Sequence, residues 1–437
     1  MTDPVIFPKT ASPSGIAASS IRILIDVPIG GEPHLIAQYI ATAFRQLGYR
    51  VECLDNSMAR EIFEKIREIS PGNTADLMAS KLISLLTEFY WDTYQKFQPH
   101  LAFFLSQSPV NAQFLKSLRA RNDMVTAFWF LENSRLSHYW QEHAPFYEYF
   151  FGIQKGPFSK ELQAIGSANP GYLPMAADES VFRTIALSEN ERHDLGSDLA
   201  YLGPCAPNRL ALFGHLRDYD FKIWGQGWEK QPWLAARIQF HDQPAQIEDT
   251  VKIYNAAKIH INLHPFSGSG YFDPHNDLVN RQTFEIMACG AFQLVDRRTL
   301  LPELFVEDDE IVCFSSVEEL RRKIDYYLAH DSERIRIAQN GQKKVLQQHT
   351  YRHRIAALME KIQKSSFKFT RLITSGKESF ENIWQYIGDP ELENFLQTIP
   401  PDKRSSLPFL AAEVQKNSGP FKNYEVILLL LETFLDK

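Results

Sequence analysis

Cysteine is scarce in this chain, and what there is does not pair. Cys53, Cys205, Cys289 and Cys313 are scattered through 437 residues with no C-x-x-C spacing. That pattern argues against a zinc framework or a disulfide scaffold and for reduced, buried thiols. A basic excess is missing too: 46 Lys and Arg face 53 Asp and Glu, a formal net charge of -7. This is the wrong sign for a general nucleic-acid binder. No apolar run approaches the roughly 20 residues that span a bilayer. The longest late one, Val426–Leu431, is flanked by charge and reads as a buried helix. Residues 1–20 show no basic start followed by an apolar block, so a secretory leader is not expected and a cytoplasmic location is. Gly30-Gly31 is too short for a G-x-G-x-x-G fingerprint, and the acidic run Glu307–Glu310 contains no D-x-D.

What is present is material for large cores: 31 Phe and 17 Tyr in a chain long enough for two or three domains. Ile21–Val27 is a β-branched run ending in a Pro/Gly turn. Helical spacing follows over Leu35–Leu47 and stops at Gly48, and Arg50–Leu54 is the next strand. Strand, glycine turn, helix, strand is the start of a parallel α/β sheet. Leu101–Leu105, Val125–Leu131 and Tyr149–Ile153 continue it as near-continuous apolar strands. The same chemistry restarts after about residue 190. Leu199–Leu202, Phe221–Trp224, Ile259–Leu263 and Ala291–Val295 read as strands. Helices are expected over Arg209–Leu216, capped by Asn208, and over Asp277–Cys289, closed by Gly290. Two more are expected over Val317–Ala329 and Arg334–Gln348. Residues 366–437 carry no strand signals and read as a helical extension.

The most informative stretch is Tyr254–Asp296 (YNAAKIHINLHPFSGSGYFDPHNDLVNRQTFEIMACGAFQLVD). It resembles the C-terminal domain of group 1 glycosyltransferases, and in particular the CgeB/YkvP spore-protein branch. The N-x-R-x-F-E-x-x-x-C-G signature of that branch stands here as Asn280-Arg281 and Phe284-Glu285 followed by Cys289-Gly290. The resemblance reaches back through Tyr201–Arg209 and Ile223–Trp228 and forward to about Ile362. It implies a GT-B fold: two Rossmann-like α/β domains with parallel sheets facing a cleft, plus the C-terminal helices. The expected division is 1–190 on the acceptor side, 191–365 on the nucleotide-sugar side, and 366–437.

The function so implied is transfer of a sugar from a nucleotide-sugar to a hydroxyl acceptor, either a protein, a glycan or a small molecule. The enzyme would be hexosyltransferase-like and metal-independent, with no cofactor beyond the donor substrate. Two alternatives stay open, a nucleotide-sugar epimerase and a non-catalytic binding or structural protein on the same fold. A diphosphate is well served by the free N–H groups of a helix N-terminus, and here Gly268-Ser269-Gly270 and Asn276-Asp277 precede one. Arg209 resembles the family's diphosphate-contacting cation, and a surface arginine is its alternative. Gly203 is either a close-approach glycine or a plain turn. Asp277 and Glu285 match the E-x7-E spacing with Asp in first place, which puts Asp277 by the donor sugar and Glu285 on the ribose. Asp277 is otherwise a simple helix cap, and Arg281 with Glu285 an ordinary i,i+4 ion pair. With Asn208 and Asn280, these residues make up the expected donor site. If configuration inverts, a base is needed, and His34 and Glu132 follow strands in the first half. His260, Asn262 and His264 share a strand face with His275 nearby, but without ligand spacing no metal site is expected.

Overall fold

The computed structural model describes residues 18–366 apart from 70, 71, 122, 274 and 276. It also describes residues 369, 390–400, 407–416, 421–422, 425–426 and 428–429. Contacts divide the chain into two compact units. The first is Met1–Leu173 with Ile355–Lys437, and the second is Pro174–Arg354. The sequence reading divides it instead at 190/191 and 365/366. The intervening segment is bonded into the second unit: Ile185 N–H donates to Asn255 Oδ1 (3.0 Å), Thr184 Oγ1 to the Cys289 carbonyl (3.1 Å), and Ala177 bridges Thr350.

In the first unit six parallel strands lie in the order β2-β1-β3-β4-β5-β6. They are β1 (Arg22–Val27), β2 (Arg50–Asp55), β3 (Leu101–Leu105), β4 (Val125–Phe130), β5 (Tyr149–Gly152) and β6 (Pro170–Tyr172). The apolar runs of β3 and β4 are buried along their whole length, as strands covered on both faces must be. β2, at the edge, is partly exposed and mixes charge with apolar residues. Helix α1 (Gly31–Gln46) starts directly after Gly30. The sequence reading places nothing between residues 55 and 100, where α2 (Ala59–Ile69) and the long α3 (Asn73–Phe97) form. Tyr90, Trp91 and Tyr94 of α3 join Phe104, Phe114 and Phe128 in an aromatic core.

The late helices share a core with α2 and α3. Leu396, Ile399, Leu410, Val414 and Leu428 share one buried cluster with Ile62, Ile66, Leu82 and Leu85. An amphipathic α2–α3 face needs a cover, and Pro390–Thr398 and Leu407–Gln415 supply it. Of the run 426–431, Val426, Leu428 and Leu429 are helical, and the rest of it lies outside the described residues, as do 1–17 and 371–389.

The second unit has five parallel strands in the order β11-β10-β9-β7-β8: β7 (Leu199–Leu202), β8 (Phe221–Trp224), β9 (Ile259–Asn262), β10 (Gln293–Asp296) and β11 (Val312–Phe314). β7 leads to β8 on one side while β9 pairs on its other side, so the strand order reverses between β7 and β9. Beyond the carboxyl ends of the strands at such a reversal, an open α/β sheet leaves a crevice.

Candidate functional site

Next to that reversal, between β7 and β8, the strand ends are bare backbone. Gly203 follows β7 with φ +152° and Gly225 follows β8 with φ +136°. A Cβ on Gly225 would sit 2.1 Å from the Gly203 carbonyl oxygen, so only glycine lets the two segments approach. The indole of Trp228 donates to that same carbonyl (3.0 Å) and fixes it. A pocket of about 170 Å³ opens here, lined by Leu202, Gly203, Pro204, Trp224, Gly225 and Gln226, with Pro244 and Ala245. The Trp224 ring is wholly buried, and its Nε1–H has no hydrogen-bond partner among the described residues.

Arg209 stands beside this pocket and is no surface arginine, being 4% exposed. Its Nε donates to the Leu263 carbonyl after β9 and its Nη1 to the Pro204 carbonyl after β7, each at 3.0 Å. The guanidinium lies 5.1 Å from the centre of the Tyr201 ring. The two carbonyls therefore hold a cation across the strand reversal.

Asn208 does not cap a helix. The helix Pro207–Phe213 has Ala206 at its N-cap and Pro207 at its first position, so Asn208 is already inside it and buried. Its amide nitrogen donates to the carbonyls of His264 (2.8 Å) and Tyr271 (2.9 Å), and its oxygen accepts from Phe266 N–H (3.0 Å). Asn208 thus fastens the neck of the loop after β9, rather than presenting a donor at a helix end. The tip of that loop, Gly268-Ser269-Gly270, is exposed and well upstream of the next helix.

That helix is Arg281–Ala288, shorter than the expected 277–289, with Asn280 as its cap: the Asn280 side chain accepts from Thr283 N–H. Asn276 lies outside the described residues. Asp277 precedes the helix instead of beginning it, so the eight-residue step from Asp277 to Glu285 does not run along one helix face. A buried amide cluster explains the choice of start. Asn262 donates to Thr283 Oγ1 (3.0 Å) and Gln293 Oε1 (2.9 Å) and accepts from Asn280 Nδ2 (2.7 Å).

His264 Nε2 accepts from the Asn280 N–H (2.9 Å), which puts the ring proton on Nδ1, facing Asp296 Oδ1 at 2.7 Å. Burial, with the Arg298 cation adding, pushes His264 down to about 4, so the ring is neutral near pH 7. Burial works against the Asp296 anion, but His264 and Arg298 outweigh it and hold its carboxyl below the usual range. Arg298 pairs with Asp296 and lies 3.9 Å from Asp273 of the same loop.

Arg281 and Glu285 form the i,i+4 ion pair, with the Glu285 side chain 1% exposed and that of Arg281 18%. Gln282 reaches from the same turn to the Leu202 carbonyl on the rim of the pocket. Gly203, Asn208 and Arg209 therefore gather at the strand reversal, and Gln282 links the first turn of the Arg281–Ala288 helix to them. Trp224, Gly225, Gln282 and Asp296 lie in stretches that carry the family resemblance, but neither they nor Arg298 were read as site residues, although the close G-x-G after β8 was a visible signal for Gly225.

In the first unit both ring nitrogens of His34 are occupied, Nδ1 3.0 Å from the Pro28 carbonyl and Nε2 3.1 Å from the Gln38 amide. Glu132 accepts from Gln107 Nε2 (2.6 Å) after β4. His260 Nε2 lies 3.1 Å from the Tyr254 carbonyl, and burial pushes its pKa down to about 4. Among the described residues no group of three or more His, Cys, Asp or Glu is placed to hold a metal ion. No helix among them is long and apolar enough to cross a membrane.

Residues 209–360 match a family described as glycosyl transferase-like. Two solved structures align over almost the whole of their own length. Sucrose-phosphate synthase from Thermosynechococcus elongatus superposes with a TM-score of 0.54 at 11% identity, covering 79% of this chain and 100% of that one. Anabaena HepE in complex with UDP and glucose gives 0.52 at 14%, with the same coverage. The fold is GT-B. The spore protein CgeB of Bacillus subtilis (strain 168) is 26% identical over 199 residues, 43% of this chain. The match spans 60% of CgeB's own length. The resemblance carried by Asn280–Gly290 is thus to a relative that the comparison also finds.

Proposed function

We propose that this GT-B chain is a glycosyltransferase that takes a sugar from a nucleoside-diphosphate donor to a hydroxyl acceptor, with the nucleotide held in the second unit. One observation carries the reading: Arg209 is a buried cation with no carboxylate paired to it among the described residues, set at the edge of a pocket floored by two glycines. A buried charge is costly unless it is matched, and a diphosphate next to a planar base would match both features. HepE, of the same fold, binds UDP and UDP-glucose. The base would lie in the slot between Leu202, Trp224 and Ala245, where the Trp224 N–H offers a donor. Arg209 would face the diphosphate.

In the reaction the acceptor oxygen forms a bond to the anomeric carbon. The bond from that carbon to the phosphate oxygen breaks, and its electron pair leaves with the nucleoside diphosphate. Arg209 is fixed by two carbonyls before the ligand arrives, so it stabilises the growing phosphate charge without reorganising. The hydroxyl proton goes to the departing phosphate if configuration is retained, or to a general base if it inverts. Charge neutralisation is assigned to Arg209, and turnover is expected to persist in EDTA.

Calorimetric titration with UDP tests the reading. A charged hydrogen bond contributes about 1.5–3 kcal/mol, so Arg209→Gln is expected to weaken UDP by about tenfold or more. Equal UDP affinity in the variant and the parent chain removes Arg209 from the site. A parent chain that binds donor yet neither hydrolyses nor transfers its sugar is a binding protein instead.

A further inference from the structure

Pro244 and Ala245 complete the lining of the pocket, and the backbone leading into them is strained. Phe240, His241 and Asp242 are three consecutive non-glycine residues with φ of +51°, +50° and +62°. Such conformations persist only where the surroundings over-determine them. The preceding residues run alongside β8: Ile223 N–H donates to the Arg237 carbonyl (2.9 Å) and Gln239 N–H to the Ile223 carbonyl (2.8 Å). At the strained turn the Asp242 carboxylate reaches back across to the loop after β8. Its Oδ2 accepts from Gly227 N–H and its Oδ1 from Trp228 N–H, both at 2.8 Å. Gln226, which also lines the pocket, is tied through its carbonyl to Cys205 N–H (2.9 Å). A single carboxylate therefore joins the two backbone segments that flank the slot, one carrying Gly225 and Gln226 and the other Pro244 and Ala245.

We propose that Asp242 is a positioning residue that sets the separation of these two segments, so that the slot admits the planar base of a nucleotide. This rests on the base-site reading above. Without the clasp, the three left-handed residues are left to the bond from Gln243 N–H to the Phe240 carbonyl (3.0 Å), which does not reach the loop after β8, and Pro244-Ala245 moves relative to Gly225-Gln226. The base then loses its fit, while the phosphates, which face Arg209, do not.

The experiment compares two probes, UDP and inorganic pyrophosphate, by calorimetry on the parent chain and on Asp242→Ala and Asp242→Asn. Loss of two charge-assisted bonds is expected to weaken UDP by about tenfold or more in Asp242→Ala. Asp242→Asn retains one acceptor and is expected to fall between Asp242→Ala and the parent chain. Pyrophosphate affinity is expected to stay within about twofold in both variants, whereas general damage to the unit would lower both probes together. The isosteric Asn variant keeps the comparison usable if the Ala variant folds poorly. Unchanged UDP affinity, or parallel loss of UDP and pyrophosphate, overturns the positioning role. A parent chain that binds pyrophosphate but gains nothing from uridine, guanosine or adenosine on it overturns the base-site reading itself.

Discussion

Asp26, at the end of β1, is 2% exposed, yet it carries a carboxyl group into the aromatic core of the first unit. Asn56 Nδ2 donates to its Oδ1 at 3.0 Å, whereas Oδ2 has no partner among the described residues. Burial raises its pKa from 3.8 to about 7, against the opposing pull of the nearby Ser108 hydroxyl and Asn56 amide. The folded state therefore holds this proton more tightly than the unfolded chain. The stabilisation is fully present below pH 3.8, decays as pH rises, and is lost by about pH 7. A shift of about 3 units at 1.36 kcal/mol each is worth about 4 kcal/mol. About 2 kcal/mol of that is already lost at pH 5.

Asp26→Asn removes the titration while keeping an amide oxygen for Asn56. The variant's stability relative to the parent is thus expected to improve by about 2–3 kcal/mol between pH 5 and pH 8. Hydrogen exchange of the β1 and β3 amides reports the opening of this unit and is the appropriate assay. A stability difference that stays constant across that range would falsify the argument, because it would show Asp26 already ionised in the folded protein at pH 5.

Two further outcomes follow from packing. Gly225→Ala drives a Cβ to 2.1 Å from the Gly203 carbonyl, a backbone atom with little room to yield. UDP binding should therefore fall below detection, while circular dichroism in the far ultraviolet stays near that of the parent. Leu396→Ala empties part of the cluster shared with Ile62 and Leu82. It is expected to cost about 2–5 kcal/mol in the first unit by denaturant titration, whereas loss of less than about 0.5 kcal/mol would show that the late helices add little to that core.

The strand plan was legible because its signal is local. Leu101–Leu105 and Val125–Phe130 are buried on both faces and so are almost wholly apolar, and Leu199–Leu202 restarts the same signal, although buried His260, Asn262, Gln293 and Asp296 interrupt it in β9 and β10. Helix starts were harder to read. Asn208 and Asp277 both look like caps in the chain, but Pro207 had already opened one helix, and a buried amide cluster around Asn262 selected Asn280 for the other. The α2–α3 pair carries no strand punctuation and gains its stability from the late helices that cover it, a partner far away in sequence.

The chain's own order of residues therefore settled the class of fold, the two parallel sheets and the family resemblance around Asn280–Gly290, since each depends on neighbours within a few positions. Tertiary structure alone decided what those residues do. It turned Asn208 into a loop fastener, sank Arg209 between the carbonyls of Pro204 and Leu263, and set Asp242 on the amides of Gly227 and Trp228. Each of these rests on a hydrogen bond to a backbone atom, and every residue has the same backbone. Which carbonyl or amide a side chain meets is therefore unmarked in the sequence until the strands pair.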